Sequence, residues 1–184
     1  MNKEIYILVF MVILLVLFMI GFGRSSVKEI KKMPKFIFWK LIYSDMYDAS
    51  DSEELSGILY SSKYDLQGKP DMIYRHRITK EILPVEIKSG QTEYPHNGDL
   101  LQVGAYMLIV EDICGRMPKK AILSYKNKTF VVRNTHLLRN NVLDTADRMR
   151  KMLISGEEEP NADFATCRHC VCDQTVCEYS FNNK

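Results

Sequence analysis

The 184-residue chain lacks a strong charge of either sign, because 25 Lys and Arg stand against 23 Asp and Glu, for a formal net charge of +2. A body that binds a polyanion through its overall field is therefore not indicated, and such contacts would have to come from local patches. Internal repeats and low-complexity tracts are also absent. At this length the chain supports one compact domain plus an appendage.

Cysteine and histidine are missing from the first 75 residues, which can therefore give neither a thiolate nor an imidazole to a metal site. Four of the five cysteines instead crowd into the last eighteen residues: Cys167, Cys170, Cys172 and Cys177. In a cytoplasmic protein such crowding favours metal or cluster binding over disulfides. Thiolates select iron–sulfur clusters or Zn²⁺.

One long hydrophobic run is present, because Ile5 to Phe22 is apolar over eighteen residues. As a helix it approaches the thickness of a hydrocarbon core. A cleaved secretory signal is the alternative, but its apolar stretch would be shorter and no Ala-x-Ala-like site follows. Against a single Glu29, the basic residues that follow the run are Arg24, Lys28, Lys31, Lys32, Lys35 and Lys40. This asymmetry predicts a single-pass membrane anchor with the body in the cytoplasm, and the basic segment could also contact anionic lipid or a nucleic-acid backbone.

The order of the elements predicts a mixed α/β fold, in which a sheet is flanked by helices. We expect an anchor over residues 1–23, a basic juxtamembrane and helical segment over 24–54, a core over 55–160 and a cysteine-rich tail over 161–184. Val27 to Asp48 is predicted to be helical, with a break at Pro34. The other expected elements are strands at Ile58–Tyr60, Met72–Arg77, Ile82–Lys88, Lys120–Tyr125 and Thr129–Arg133, and helices at Asp99–Ile113 and Thr135–Ile154.

Two carboxylates and a lysine are expected to meet at one hairpin. On a strand, Glu86 and Lys88 share one face, and Ile87 belongs to the opposite face, which can be buried. Asp71 lies across the hairpin, whose turn is expected near Thr79 to Glu81. Two hard oxygen ligands suit Mg²⁺ or Mn²⁺, and a lysine can orient or help to deprotonate a water. This set suits phosphodiester hydrolysis, although Asp71 as a turn cap beside a solvated charged face is the plainer alternative.

Gln102 and Tyr106 lie four residues apart on the Asp99 helix and therefore occupy one helical face. The helix is rich in apolar residues and should be largely buried. A buried glutamine needs hydrogen-bond partners. The pair is thus either part of a polar site or a core tyrosine beside a satisfied glutamine.

These pieces, in this order along the chain, resemble the motifs of RecB-like nucleases of the PD-(D/E)xK superfamily. The matching segments are Gly68-Lys69-Pro70-Asp71, Pro84-Val85-Glu86-Ile87-Lys88 and the Gln102-x-x-x-Tyr106 pair. The similarity is greatest to the CRISPR-associated exonucleases, which add a [4Fe–4S] cluster, and it extends from about Leu55 to Tyr179.

The resemblance implies a restriction-endonuclease-like core that hydrolyses DNA, with single-stranded DNA as the expected substrate and exonuclease action. Asp71, Glu86 and the Ile87 carbonyl would bind Mg²⁺ or Mn²⁺. Lys88 would activate or position the attacking water, and Gln102 and Tyr106 would order the site. Protein partners of a DNA-processing complex are a further expectation.

In that family three C-terminal cysteines join a fourth that lies upstream of the first catalytic Asp. Cys167, Cys170 and Cys177 fit the trio, but the upstream cysteine is missing here, so Cys172 is the candidate for the fourth cluster ligand. A Zn²⁺ site completed by His169, or no metal at all, are the alternatives. Cys114 is expected to be a small core residue.

A second departure from the family is that no histidine precedes Asp71. In many family members a histidine at such a position helps to bind the metal. Glu53, Glu54 or water could replace it, and His76 and His136 are expected at the surface. Two alternatives to an active nuclease therefore stay open. One is a weak or inactive nuclease-like module that binds nucleic acid or partner proteins, and the other is a cluster- or zinc-binding protein with a vestigial acidic site.

Overall fold

The computed structural model describes residues 10–12, 26–30, 37–45 and 54–156, together with Cys167, Cys170, Tyr179 and Ser180. Most of the predicted anchor lies outside these residues, so it stays a prediction. Within the described ranges, no helix combines the length and the apolar character that crossing a membrane requires. The chain divides into two compact units, Met1–Leu143 and Asp144–Lys184.

The described strands of the first unit are β1 (Val27–Ile30), β2 (Trp39–Ser44), β3 (Leu59–Ser61), β4 (Leu66–Gly68), β5 (Met72–His76), β6 (Ile82–Ile87), β7 (Lys120–Ser124) and β8 (Thr129–Arg133). Six of them form a mixed sheet with the order β1-β8-β7-β6-β5-β2, beside a two-stranded β3-β4 hairpin. The helices that lie wholly within the described residues are α1 (Asn97–Cys114) and α2 (His136–Ser155). The predicted α/β class is confirmed.

The centre of the sheet follows the sequence pattern closely. β5 and β6 form an antiparallel hairpin with Met72 opposite Val85, and their turn contains Lys80 at a φ of 58°. Helix α1 then crosses over to β7, which pairs parallel to β6 with Val85 beside Ile122. Because a central strand is covered on both faces, five of the six residues of β6 are buried.

The helix predicted over Val27 to Asp48 is wrong, because the described residues of this segment form the edge strands β1 and β2. β1 pairs with β8, and β2 pairs with β5 through an irregularity between Leu41 and Tyr43. That irregularity lets the adjacent Ile42 and Tyr43 both be buried. The strand state results from long-range pairing with open strand edges, which a local helical pattern does not reveal.

Helix α1 packs across the sheet and carries much of the core, with Val103 and Met107 to Val110 all buried. Gly104 lets α2 approach closely, since a Cβ there would lie 2.7 Å from Val142 Cγ2. Val142 is the buried residue of α2. Leu137, five residues before it, is 71% exposed, because successive helical positions point about 100° apart and Leu137 therefore lies on another face.

A charged cluster joins the β3-β4 connection to both helices. Arg139 Nη1 of α2 lies 2.6 Å from Glu111 Oε2 of α1. The Tyr64 hydroxyl donates to Glu111 Oε1 over 2.8 Å and accepts from Arg139 Nη2 over 3.0 Å. Burial acts to raise the pKa of Glu111, but the bonds from Arg139 and Tyr64 outweigh it and lower that pKa overall.

We expect Glu111→Gln to lower the free energy of unfolding at neutral pH by about 2 kcal/mol, since hydrogen bonds to a charged group are lost. Because the pKa of Glu111 is lowered in the folded state, its carboxylate contributes its full stabilisation above the unfolded glutamate pKa of about 4.3. This stabilisation is lost as the pH falls through the pKa of the folded state. The difference between wild type and variant should therefore shrink in acid. Denaturant unfolding across pH measures it.

The matched control is Glu93→Gln, which removes an exposed pair with Lys128 and should cost less than about 1 kcal/mol. A Glu111→Gln effect that is no larger than this control, or that does not change with pH, contradicts the structural role of the cluster.

Candidate active site

Asp71 and Glu86 come together at the edge of the sheet where β6 ends. Asp71 directly precedes β5, and the pairing of Met72 with Val85 sets it beside the end of β6. The Ile87 amide donates to Asp71 Oδ2 over 2.5 Å. Asp71 also accepts from the Asp45 amide through its main-chain carbonyl over 3.0 Å. The hairpin thus holds both the backbone and the side chain of Asp71 opposite the (D/E)xK segment.

Glu86 is 6% exposed, and its two oxygens differ sharply. Oε1 accepts from Gln102 Nε2 over 2.9 Å and lies 3.1 Å from Lys88 Nζ. Oε2 is buried and has no hydrogen-bond partner within the described part of the chain. Burial raises the pKa of Glu86, and the charge of Asp71 raises it further. A buried carboxylate oxygen without a partner, next to a second carboxylate, is a position that a cation would stabilise.

The Ile87 side chain is 39% exposed, so the expectation that it can bury is wrong. Ile87 is the last residue of β6, and the small cluster on this face of the sheet, built around Leu83 and Val85, does not include it. Its main chain matters more, because the N–H and C=O of one strand residue point to the same side. The Ile87 N–H faces Asp71, and its carbonyl therefore lies on that side too.

Lys88 lies in a ring of polar contacts. Its Nζ donates to Gln102 Oε1 over 2.6 Å and lies 3.1 Å from Glu86 Oε1 and 3.3 Å from Asp99 Oδ1. Burial opposes the charge of Lys88, but the contacts with Glu86 and Asp99 outweigh it and raise the pKa of the ammonium group. Lys88 is thus a fixed cation beside the two carboxylates.

Gln102 connects α1 to the strands. Its Nε2 lies 2.7 Å from the Tyr106 hydroxyl, which confirms that the two residues share a helical face. Tyr106 donates in turn to the Lys69 carbonyl over 3.2 Å, and burial raises the pKa of Tyr106. The partners of Gln102 are Glu86, Lys88 and Tyr106, so this glutamine belongs to the polar site.

Asp99 and Tyr125 belong to the same network, and the sequence interpretation missed both. Asp99 Oδ2 accepts from the Tyr125 hydroxyl over 2.5 Å. Burial and this bond raise the pKa of Tyr125 to about 12. Two signals could have revealed them: Asp99 lies three residues before Gln102 on the same helical face, and Tyr125 directly follows a strand parallel to β6.

The site has few side-chain ligands, and this limits which metals fit. In the described residues, three or more His, Cys, Asp or Glu side chains do not gather into a potential metal site. Two carboxylates and one carbonyl suit Mg²⁺ or Mn²⁺, which keep several waters. Glu54, one candidate replacement for the missing histidine, is paired with Arg75 and with Lys40 at 3.1 Å. Glu53 lies outside the described residues.

The two predicted surface histidines differ. His136 is exposed, whereas His76 is partly buried. His76 Nδ1 accepts from the Thr79 amide, and its ring stands edge-on to Trp39. The structure thus uses His76 to form the β5-β6 turn.

Two cysteines of the tail, Cys167 and Cys170, lie within the described residues. The Cys170 amide donates to the Cys167 carbonyl over 2.8 Å, which forms one turn. Cys167 is buried and Cys170 is exposed. Cys172 and Cys177 lie outside the described residues, and the cluster stays a prediction. Cys114 packs partly buried against the core, as predicted.

Comparison with known proteins adds no assignment, because no protein-family model matches the chain and no curated protein matches it. The interpretation of the site therefore depends on the chemistry of its own residues.

Gly68 of β4 packs directly against the Tyr106 ring, where there is no room for a side chain. A Cβ at Gly68 would lie 2.7 Å from Tyr106 Cε1 and 3.2 Å from Ile109 Cδ1. Since two hydrogen bonds hold Tyr106, we expect Gly68→Ala to reduce the free energy of unfolding by about 1–3 kcal/mol. Chemical denaturation measures the change.

Gly90→Ala is the matched control, because a Cβ at Gly90 has no heavy atom within 4 Å. Its stability should stay within about 1 kcal/mol of wild type. Equal stability of the two variants would show that Tyr106 is not confined by Gly68.

Proposed function

We propose that the protein is a Mg²⁺- or Mn²⁺-dependent nuclease that hydrolyses DNA phosphodiester bonds with a RecB-like PD-(D/E)xK site. The observation that carries the proposal is Oε2 of Glu86, which is buried and has no hydrogen-bond partner among the described residues, in a site that also contains Asp71 and the fixed cation Lys88. A buried carboxylate oxygen without a hydrogen bond costs stability unless a cation is bound there. Proteins retain such unfavourable groups chiefly at functional sites.

Asp71, Glu86 and the Ile87 carbonyl are the groups that would hold the metal ion. When bound, the ion supplies polarisation of a phosphate oxygen and a lowered pKa of water. The hydrogen bond from the Ile87 amide fixes the orientation of Asp71. Gln102 fixes Glu86 Oε1, and in the part of the chain that the structure describes Oε2 is the oxygen of that carboxylate without a hydrogen bond.

Lys88 is the residue that would meet the phosphate. As an ammonium group it stabilises negative charge that develops on the transferred phosphoryl group, and it can orient a water by donating to it. Gln102 and Asp99 hold its Nζ in place from α1. Asp99 is in turn oriented by Tyr125, so positioning of Lys88 does not depend on one contact.

The finer parts of the proposal rest on the family resemblance and on the sequence. Exonuclease action on single-stranded DNA, a [4Fe–4S] cluster at the cysteine tail and partners in a DNA-processing complex follow from the resemblance. The membrane anchor follows from the apolar run at Ile5 to Phe22 and the basic residues after it. The near-neutral net charge of +2 means that bound metal ions would supply much of the positive charge at the DNA.

A non-catalytic module that binds nucleic acid or partner proteins is the second candidate, and one observation favours it. Glu54, a candidate replacement for the missing upstream histidine, is engaged by Lys40 and Arg75. The metal would then have one protein ligand fewer than in many family members, which would weaken catalysis.

Cleavage assays on the full chain in detergent test the proposal, with labelled single- and double-stranded DNA and Mn²⁺. We expect Lys88→Ala to reduce the cleavage rate about 10²–10³-fold, because a preorganised charge in the transition state is lost. Glu86→Ala should abolish metal-dependent cleavage. Lys126→Ala is the matched control, since this lysine is exposed. The Lys126→Ala protein should cleave DNA at the wild-type rate.

Wild-type rates in a folded Lys88→Ala protein would refute the catalytic role of this lysine. DNA binding without cleavage by the wild type, at every Mn²⁺ concentration, would favour the non-catalytic module instead.

A further inference from the structure

Besides its outermost strands β1 and β2, the six-stranded sheet has two edges at which its strands begin or end. These two edges carry different side chains. β1, β6 and β7 run in one direction, as does β2, whereas β5 and β8 run in the other. The polar site lies at the edge where β6 and β7 end. We call the other edge, where β1, β2, β6 and β7 begin, the entry edge. A strand rises about 3.3 Å per residue, so the two edges are about 20 Å apart along β6.

Large apolar side chains are exposed on the segments that border the entry edge. They are Ile37 (72% exposed), Phe38 (58%), Ile78 (75%), Met117 (53%) and Leu137 (71%). The Arg77 amide donates to the Phe38 carbonyl over 2.8 Å, which joins the start of β2 to the β5-β6 turn. The Asn134 amide donates to the Lys119 carbonyl over 3.0 Å, which joins the segments before β7 and after β8.

The charged side chains on these same segments are mainly cations. Arg77 and Lys80 of the β5-β6 turn, and Arg116 and Lys119 before β7, are all exposed. Glu81, which is partly buried, is the acidic residue among them. Exposed apolar side chains interspersed with cations are typical of surfaces that bind an anionic bilayer.

The chain also enters the sheet at this edge. The Arg133 amide donates to the Ser26 carbonyl over 2.8 Å, which fixes the residue before β1 at the end of β8. Only Gly23, Arg24 and Ser25 separate Ser26 from the apolar run that ends at Phe22. Three residues extend over about 10 Å. If the run is embedded in a bilayer, the part of the entry edge at β1 and β8 must lie next to that bilayer, and the exposed apolar side chains near β2 extend the same edge to the other side of the sheet.

We propose that the entry edge rests on the surface of an anionic lipid bilayer. Ile37, Phe38 and Ile78 insert between the headgroups on one side, and Met117 and Leu137 do so on the other. The neighbouring Arg and Lys side chains contact the lipid phosphates. The polar site at the opposite edge then faces away from the membrane, open to a substrate from solution. The apolar run is therefore more than a tether, because the domain has one fixed orientation.

The single tryptophan of the chain allows a direct test on the full protein in phosphatidylcholine–phosphatidylglycerol vesicles with brominated acyl chains. Two variants in a Trp39→Phe background are compared: Phe38→Trp at the entry edge, and Tyr94→Trp in the loop after β6. Both positions carry exposed aromatic residues, at 58% and 81%. We expect lipid quenching to be at least twofold stronger for Phe38→Trp.

Charge reversal supplies the second arm. Arg77→Glu with Lys80→Glu, added to the Phe38→Trp variant, should bring its quenching down toward that of Tyr94→Trp. Pure phosphatidylcholine vesicles should have the same effect. Equal quenching at the two positions would show a domain that is tethered without a preferred orientation and would overturn the proposal. Quenching unaffected by charge reversal would overturn the role of the lipid phosphates. Circular dichroism confirms that each variant is folded.

Discussion

The buried carboxylate of Glu86 is the constraint on which the rest of the site depends. It lies beneath α1 with one oxygen held by Gln102 and the other without a hydrogen bond within the described residues. Asp71 adds a second negative charge, and Lys88 supplies the compensating cation. The contacts of Gln102, Tyr106 and Asp99 all keep this small charge arrangement in place. A fold selected only for stability would replace such a group with an apolar one.

The geometry of the sheet makes the arrangement possible. The β5-β6 hairpin sets Asp71 opposite the end of β6, and the parallel β6-β7 pair sets Tyr125 near the same edge. Helix α1 connects these two strands and therefore carries Asp99, Gln102 and Tyr106 over the strand ends. Ligands of open α/β sheets commonly bind at the carboxyl ends of strands. The opposite edge of the sheet instead carries exposed apolar and basic side chains, which are the basis of the proposed contact with a lipid bilayer.

The sequence predicted those parts of the protein that depend on local pattern. The hairpin, the crossover helix and the Gln102–Tyr106 pair follow from strand alternation and helical spacing. The strands β1 and β2 do not follow from local pattern, because their strand state depends on pairing with β8 and β5, which are distant in sequence. The exposure of Ile87 and the contact of Asp99 with Lys88 were missed for the same reason. Each depends on which elements end at the same edge, and a single segment does not contain that information.

Calorimetric unfolding of the full chain, with EDTA or with increasing Mn²⁺, tests the central claim most directly. Ligand that binds only the folded state stabilises it by about 2.7 kcal/mol at a hundredfold excess over Kd. The melting temperature of the wild type should rise steadily with Mn²⁺. Asp71→Asn keeps an oxygen that can accept from the Ile87 amide but loses the charge, and it should show no such rise. Equal shifts in both proteins, or none in the wild type, would contradict a divalent-ion site at Asp71 and Glu86.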